Sequence, residues 1–412
     1  MKPHLRLNPG PTPQPRSPAV HLDYLDGIRG LAALYVVAHH AALQVWPLYR
    51  ADQVPSALRF LQYGRFAVGL FIVLSGYCLM LPVIRDGGRL RGGPLGFYRR
   101  RSWRIVPPFY AALALSLVLI ETLIGQRTGT HWDFSLPADG PSILACLLLV
   151  QDVWMPYRIN HAFWSIAVEW RIYFFFPVLV AGFRKVGPIA TTGLALAFSL
   201  GVVFGLRAVD LRWVADRAVV QYLALFSMGM LAATVATSDP LTRLGRVRDR
   251  VPWGIVAPVL AAGIVGSCRG KSLMVLDSEI LGHDLAVGLG WSSLLVFVAT
   301  PRGGWLARAL AWRPIVASGV IGYSLYLIHA PLLQLTQQYI VNRWVIADLS
   351  KFAGLIGVGG PIILGSAALF ASLFEPRRRK VVEVHSPESL TLADAIESPD
   401  PAPDQLASPP SR

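Results

Sequence analysis

Three features of this chain point to an all-α, polytopic bundle of membrane helices. Apolar runs of about 20 residues, the length an α-helix needs to cross a hydrocarbon core, recur from Ile28 to Phe374. Of the 412 residues 54% are hydrophobic and only 15% charged, where soluble domains carry about 25% charge. With a mean hydropathy of +0.49 the apolar surface exceeds what one soluble core can hide. The third feature is where the basic residues sit. They cluster in short loops between apolar runs, so the net charge of +14 reads as membrane orientation, with no nucleic acid implied.

Taken in order, the runs lie near 28–46, 60–83, 105–124, 162–182, 188–206, 218–236, 252–267, 283–300, 315–339 and 352–374. These make about ten crossing helices. A further run, Ser142 to Val153, is about 12 residues against the ~20 a crossing needs, and reads as re-entrant or interfacial. With the N-terminus inside, the basic groups Arg85 to Arg104, Arg184 and Lys185, Arg243 to Arg250, Arg302 to Arg313 and Arg377 to Lys380 all fall on the cytoplasmic side. Counting the short run as a crossing would export every basic group after it. Residues 1–22, with Pro9, Pro11, Pro13, Pro15 and Pro18 and no apolar run, read as a disordered cytoplasmic leader. Residues 23–376 form the transmembrane domain, and 377–412, basic and then rich in Pro, Ser and acids, a disordered cytoplasmic tail. Cys78, Cys146 and Cys268 make no CxxC or Cys/His cluster, so neither a disulfide framework nor a metal site is indicated.

Ionisable groups inside a span cost several kcal/mol if they face lipid, so each is a functional candidate. Arg29 and His40 on the first helix are 11 positions apart, about 1100° of rotation, which returns to within ~20° of one face at a spacing of ~16 Å. Asp26 lies one turn before Arg29 and can pair with it, while His39 points away from the stripe. Arg29 is thus a candidate anion holder at the cytoplasmic mouth and His40 a general base deeper in. Four arginines between Arg99 and Arg104, of which Arg100, Arg101 and Arg104 precede Pro107 and Pro108, make a phosphate-sized positive site or a headgroup contact. Glu169 lies one turn from Ser165 and from Tyr173 in an aromatic-rich helix, and Tyr323, Tyr326 and His329 precede Pro331 in the ninth span. Trp132, in the segment His131 to Asp133, offers a ring on which a sugar could stack.

Together these segments resemble the acyltransferase 3 family of bacterial integral-membrane O-acyltransferases. LDGIRGLAALYVVAHH looks like the family's first-helix motif of an arginine, ten residues and a histidine, matched here by Arg29 and His40. FIVLSGY, RRSWRIVPPFY, FWSIAVEW and GYSLYLIHAPL resemble its later signatures, in the same order. Two positions depart from the pattern: Arg171 stands where glutamine is frequent, and His39 where an aromatic or apolar residue is. The resemblance implies transfer of an acyl group, usually acetyl from acetyl-CoA as co-substrate, to a hydroxyl of a carbohydrate. It implies donor phosphates against Arg29, Arg100, Arg101 and Arg104, proton abstraction by His40, and Glu169 as a partner orienting the imidazole. Tyr173, Tyr326, His329 and Trp132 are the expected substrate contacts. Some relatives carry an extracytoplasmic hydrolase-like domain, whereas this chain ends in a polar tail, so the acceptor is expected to meet the membrane domain itself.

The acceptor stays open among a surface polysaccharide, a lipid-linked or wall glycan and a glycosylated metabolite such as a macrolide. Two rivals come from other classes. Buried His, Arg and Glu also suit a proton-coupled transporter, although no matched pair of broken helices stands in the two halves. A haem with His40 and His329 as axial ligands is the other.

Overall fold

A computed structural model describes residues 22–47, 53–125, 127–267 and 280–376. The leader up to residue 21, the whole tail from 377 to 412 and Cys268 lie outside the described residues. Among the described residues every regular element is helical, and no strand occurs. In chain order the helices are α1 (Asp23–Val45), α2 (Gly64–Arg85), α3 (Gly93–Leu119), α4 (Gly140–Leu147), α5 (Trp164–Lys185), α6 (Pro188–Ala208), α7 (Arg212–Ala218), α8 (Tyr222–Ala236), α9 (Arg243–Arg250) and α10 (Trp253–Ser267). They continue as α11 (Ile280–Val298), α12 (Gly304–Leu310), α13 (Arg313–Val320), α14 (Gly322–Thr336), α15 (Asn342–Trp344), α16 (Asp348–Gly354) and α17 (Gly360–Phe374).

Local chemistry sets the ends. Asp23 and Asp26 place negative charge in the first turn of α1, where the free N–H groups want it. Asp139 caps α4 by accepting from the Ser142 amide at 3.0 Å, and Thr242 caps α9 through the Gly245 amide at 3.1 Å. The short apolar run expected to be re-entrant is the eight-residue α4, about 12 Å long at 1.5 Å per residue and unable to cross.

Among the described residues seven helical segments are long and apolar enough to span a membrane, and nine if two bent pairs, α9 with α10 and α13 with α14, each count as one span. The pairs bend by 67° and 77°. The remaining run of the expected ten is α1. At 23 residues it has the length, but Asp23, Asp26, Arg29, His39 and His40 lower its apolar character, and it is absent from both counts. Those polar groups are tolerable because α1 packs inside the bundle, against α2, α13 and α14.

Small residues permit that packing. A Cβ on Gly319 would collide with the Asp26 carbonyl, and one on Gly27 with the Leu310 carbonyl, so α1 meets α12 and α13 backbone to backbone. The α2–α8 contact is reciprocal: a Cβ on Gly76 would strike the Phe226 carbonyl, and one on Gly229 the Val73 carbonyl. Where α17 ends, Glu375 accepts from the Ser324 amide at 3.1 Å and its hydroxyl at 2.6 Å. Gly322 beside it packs on the Arg29 stem. The start of α1 and the end of α17 therefore lie on the same face.

Candidate active site

Five helices, α1, α2, α3, α5 and α14, surround a cavity of about 230 Å³. A single buried water occupies ~10–15 Å³ on this measure, so the space is ligand-sized. Arg29, Arg101 and Arg104 line it together with Cys78, Ser75, Glu169, Tyr173, Tyr323, Ser165 and Tyr326. Arg29 pairs with Asp26, as its spacing suggests, and its other nitrogen lies 4.0 Å from the Cys78 sulfur. Glu169 accepts from the Ser75 hydroxyl at 3.1 Å and from Tyr173, whose ring in turn lies under the Arg101 guanidinium at 5.8 Å. The cavity wall thus joins three cations to a carboxylate held by two hydroxyls.

Tyr326 forms part of this wall. Ser165 donates to its hydroxyl at 2.7 Å, and the ring packs against His329 with centroids 5.7 Å apart. Beyond it His329 meets His40: Nε2 of His329 lies 2.9 Å from Nδ1 of His40. On its other side, Nδ1 of His329 faces two backbone carbonyls, Tyr326 at 2.7 Å and Leu325 at 3.2 Å. The two imidazoles form a hydrogen-bonded dyad between α1 and α14.

The two connections either side of α4 bring two more imidazoles. The His40 ring lies 4.8 Å from that of His161 and 6.4 Å from that of His131, centroid to centroid. Ser135 holds His161 by contacts of 3.1 Å to its Nδ1 and its amide, while Nε2 of His161, Nδ1 of His131 and the indole nitrogen of Trp132 are buried without hydrogen-bond partners. Asn160 anchors the loop before α5 on α14. Pro331 has no N–H to offer the Leu327 carbonyl four residues back, and the Asn160 amide donates to that carbonyl at 3.0 Å. His131 lies outside the long helices, and burial, then the neighbouring His39, pushes its pKa down from 6.5 to about 3.

Several expectations need correction. Glu169 is bonded to Ser75 and Tyr173, and the residue bonded to His40 is instead His329. Arg100 does not line the cavity: its guanidinium turns back along α3 and donates to the Arg91 carbonyl at 2.6 Å. Trp132 is fully buried, so its faces are taken by the protein and unavailable to stack a sugar. The direct 2.9 Å contact between His40 and His329 leaves no space for a haem iron between them. Among the described residues no three His, Cys, Asp or Glu side chains are placed to hold a metal ion.

The two unusual positions are accommodated locally. His39 sits over Gly64, where a Cβ would collide with the ring, and its Nδ1 is 2.6 Å from the Leu61 carbonyl. Arg171 pairs with the buried Asp152 at 2.7 Å and donates to the Ala218 carbonyl at 2.8 Å. Sequence reasoning missed His161 and Asn160 altogether. The available signal was an Asn-His pair directly before a crossing helix.

The chain is similar to known proteins along most of its length. The acyltransferase domain of the acyltransferase 3 family matches residues 22–373. Acyltransferase MdmB of Streptomyces mycarofaciens is 31% identical over 175 residues, covering 40% of this chain and 41% of that protein. O-acetyltransferase OatA of Staphylococcus aureus is 22% identical over 355 residues, 78% of this chain and 52% of that one. The peptidoglycan O-acetyltransferase OatA of Listeria monocytogenes is 23% identical over 332 residues, 76% and 49% respectively. The chain spans about half the length of these relatives or less. With the match running through every helix that lines the cavity and the dyad, the chain belongs to the acyltransferase 3 family.

Proposed function

We propose that this protein is a membrane O-acyltransferase moving an acetyl group from acetyl-CoA to a hydroxyl of a carbohydrate, such as a surface or wall glycan or its precursor. The observation that carries the reading is the line from three arginines, through a ligand-sized cavity, to Tyr326 and the imidazole dyad beyond it. Arg29, Arg101 and Arg104 would hold the donor's phosphates, with Arg100 adding charge at the mouth. The acyl arm would extend past Glu169, Tyr173 and Ser165 to Tyr326. His40 takes the proton of the acceptor hydroxyl as its oxygen attacks the thioester carbonyl, and the proton leaves with the coenzyme A thiol. Two of these relatives are named O-acetyltransferases, one of them specifically a peptidoglycan O-acetyltransferase, and these names support a glycan acceptor.

In this reading the domain crosses the inner membrane ten times, α1 included, with both termini and the arginine mouth in the cytoplasm. An even number of crossings agrees with α1 beginning and α17 ending on one face. The test is release of free thiol from acetyl-CoA by protein in proteoliposomes, with a cell-envelope glycan fraction as acceptor. His40→Ala is expected to lose acceptor-dependent release by about 10²-fold or more, the contribution of a general base. Equal release by both proteins removes His40 from the chemistry. A transporter would leave acetyl-CoA intact.

A further inference from the structure

We infer that His329 is the positioning residue that fixes the tautomer of His40, leaving Nε2 of His40 as the bare, proton-accepting nitrogen. The argument is one of hydrogen-bond polarity and rests on His40 being the base, as proposed above. A backbone carbonyl only accepts, and Nδ1 of His329 faces two of them, at 2.7 and 3.2 Å. That nitrogen therefore carries the proton. In a neutral imidazole the other nitrogen is then a pure acceptor, so Nε2 of His329 must receive the hydrogen bond from His40 at 2.9 Å. The proton of His40 is held on Nδ1. Its Nε2 points away from the dyad with its lone pair free, on the side of the ring remote from His329.

The arrangement does for His40 what a carboxylate does for the histidine of a hydrolytic triad, without introducing a charge into the bundle. A carboxylate at this depth would need its own cationic partner. A second imidazole locked by its own helix's carbonyls gives the same directionality while neutral. The lock depends on α14 alone, since Tyr326, Leu325 and His329 are one turn of the same helix. It also assigns His329 a role distinct from contact with substrate.

The test is solid-state ¹⁵N spectroscopy of histidine-labelled protein in lipid, with His40 assigned by difference from His40→Ala. The expected spectrum has a protonated Nδ1 and a non-protonated Nε2 at His40 in the resting protein. In His329→Leu the Nε2-protonated form of His40 should appear as the main species. His329→Gln, whose amide oxygen lies near the lost Nε2, should restore the original form in part. In the thiol-release assay His329→Leu should lower kcat by about 10²-fold with the KM for acetyl-CoA unchanged, and Gln should recover part of that loss. A wild-type His40 protonated on Nε2 overturns the inference outright, whatever the activity. So does a Leu variant with unaltered spectrum and kcat. If the spectra come out as expected but His40→Ala retains full thiol release, the tautomer lock stands and the acyltransferase reading fails.

Discussion

His131 shows how a single side chain reports on its surroundings. Burial holds its pKa at about 3 in the folded protein, against 6.5 ordinarily. As pH falls through 6.5 the unfolded chain takes up this proton while the folded one refuses it, so stability is full above 6.5 and declines as pH drops towards 3. Between pH 7.5 and 5 the loss should be about 2 kcal/mol, at 1.36 kcal/mol per unit below 6.5. In thermal unfolding of detergent-solubilised protein His131→Gln should reduce the pH-dependent loss by about that amount; an identical loss in the variant would refute the assignment. At this scale the stripe of Arg29 and His40 was legible because helical periodicity is a local property. The partner of His40 was not, because His329 lies 289 positions away and nothing local selects it over Glu169. Arg100 was misjudged because its helix position lies within ~40° of Arg104, yet its side chain turns back to the Arg91 carbonyl, a contact that spacing alone does not reveal.

Among the elements, α2, α8 and α11 are tied by a buried ion pair that composition alone did not reveal. Arg65 grips Asp284 through two nitrogens, at 3.2 and 2.8 Å, and Gln221 donates to the same carboxylate at 2.9 Å. The guanidinium also lies over the rings of Trp164 and Tyr222, at 5.9 and 5.7 Å, which brings α5 into the cluster. Removing one partner of such a pair strands the other charge, so Asp284→Ala should destabilise by about 3–5 kcal/mol. The double variant Arg65→Leu with Asp284→Leu should recover much of this in the same unfolding measurement; equal losses in single and double variants would show that the pair is not what joins these helices. Helix existence was readable throughout, since runs of apolar residues have few other uses. The break between α13 and α14 was not, because the run from residue 315 to 339 is apolar on both sides of Ile321. There the backbone bends by 77° and so places Gly322 beside Arg29.

For the whole molecule, packing puts the start of α1 and the end of α17 on one face, as the ten crossings proposed above require. If ten crossings place the arginine mouth inside, then Asp210, in the exposed link after α6, lies outside and Leu241, exposed after α8, lies inside. In a background with the native cysteines replaced, a membrane-impermeant maleimide added to intact cells should label Asp210→Cys and spare Leu241→Cys until the cells are permeabilised. Labelling of both, or of the second alone, would reverse or break the proposed topology. The layered order from cations through cavity to imidazoles was foreseeable from α1, which carries Arg29 and His40 about 16 Å apart along one face. The far wall was beyond reach of the sequence, since a loop before α5 builds it against α14. Asn160 makes that junction by supplying the donor that Pro331 withholds from the Leu327 carbonyl. Each of these residues makes sense of the other. A relative in which position 331 regains an N–H has no remaining need for the amide at 160, so the two sites are expected to covary across the family's history, with the loop and the helix of His329 inherited as one unit.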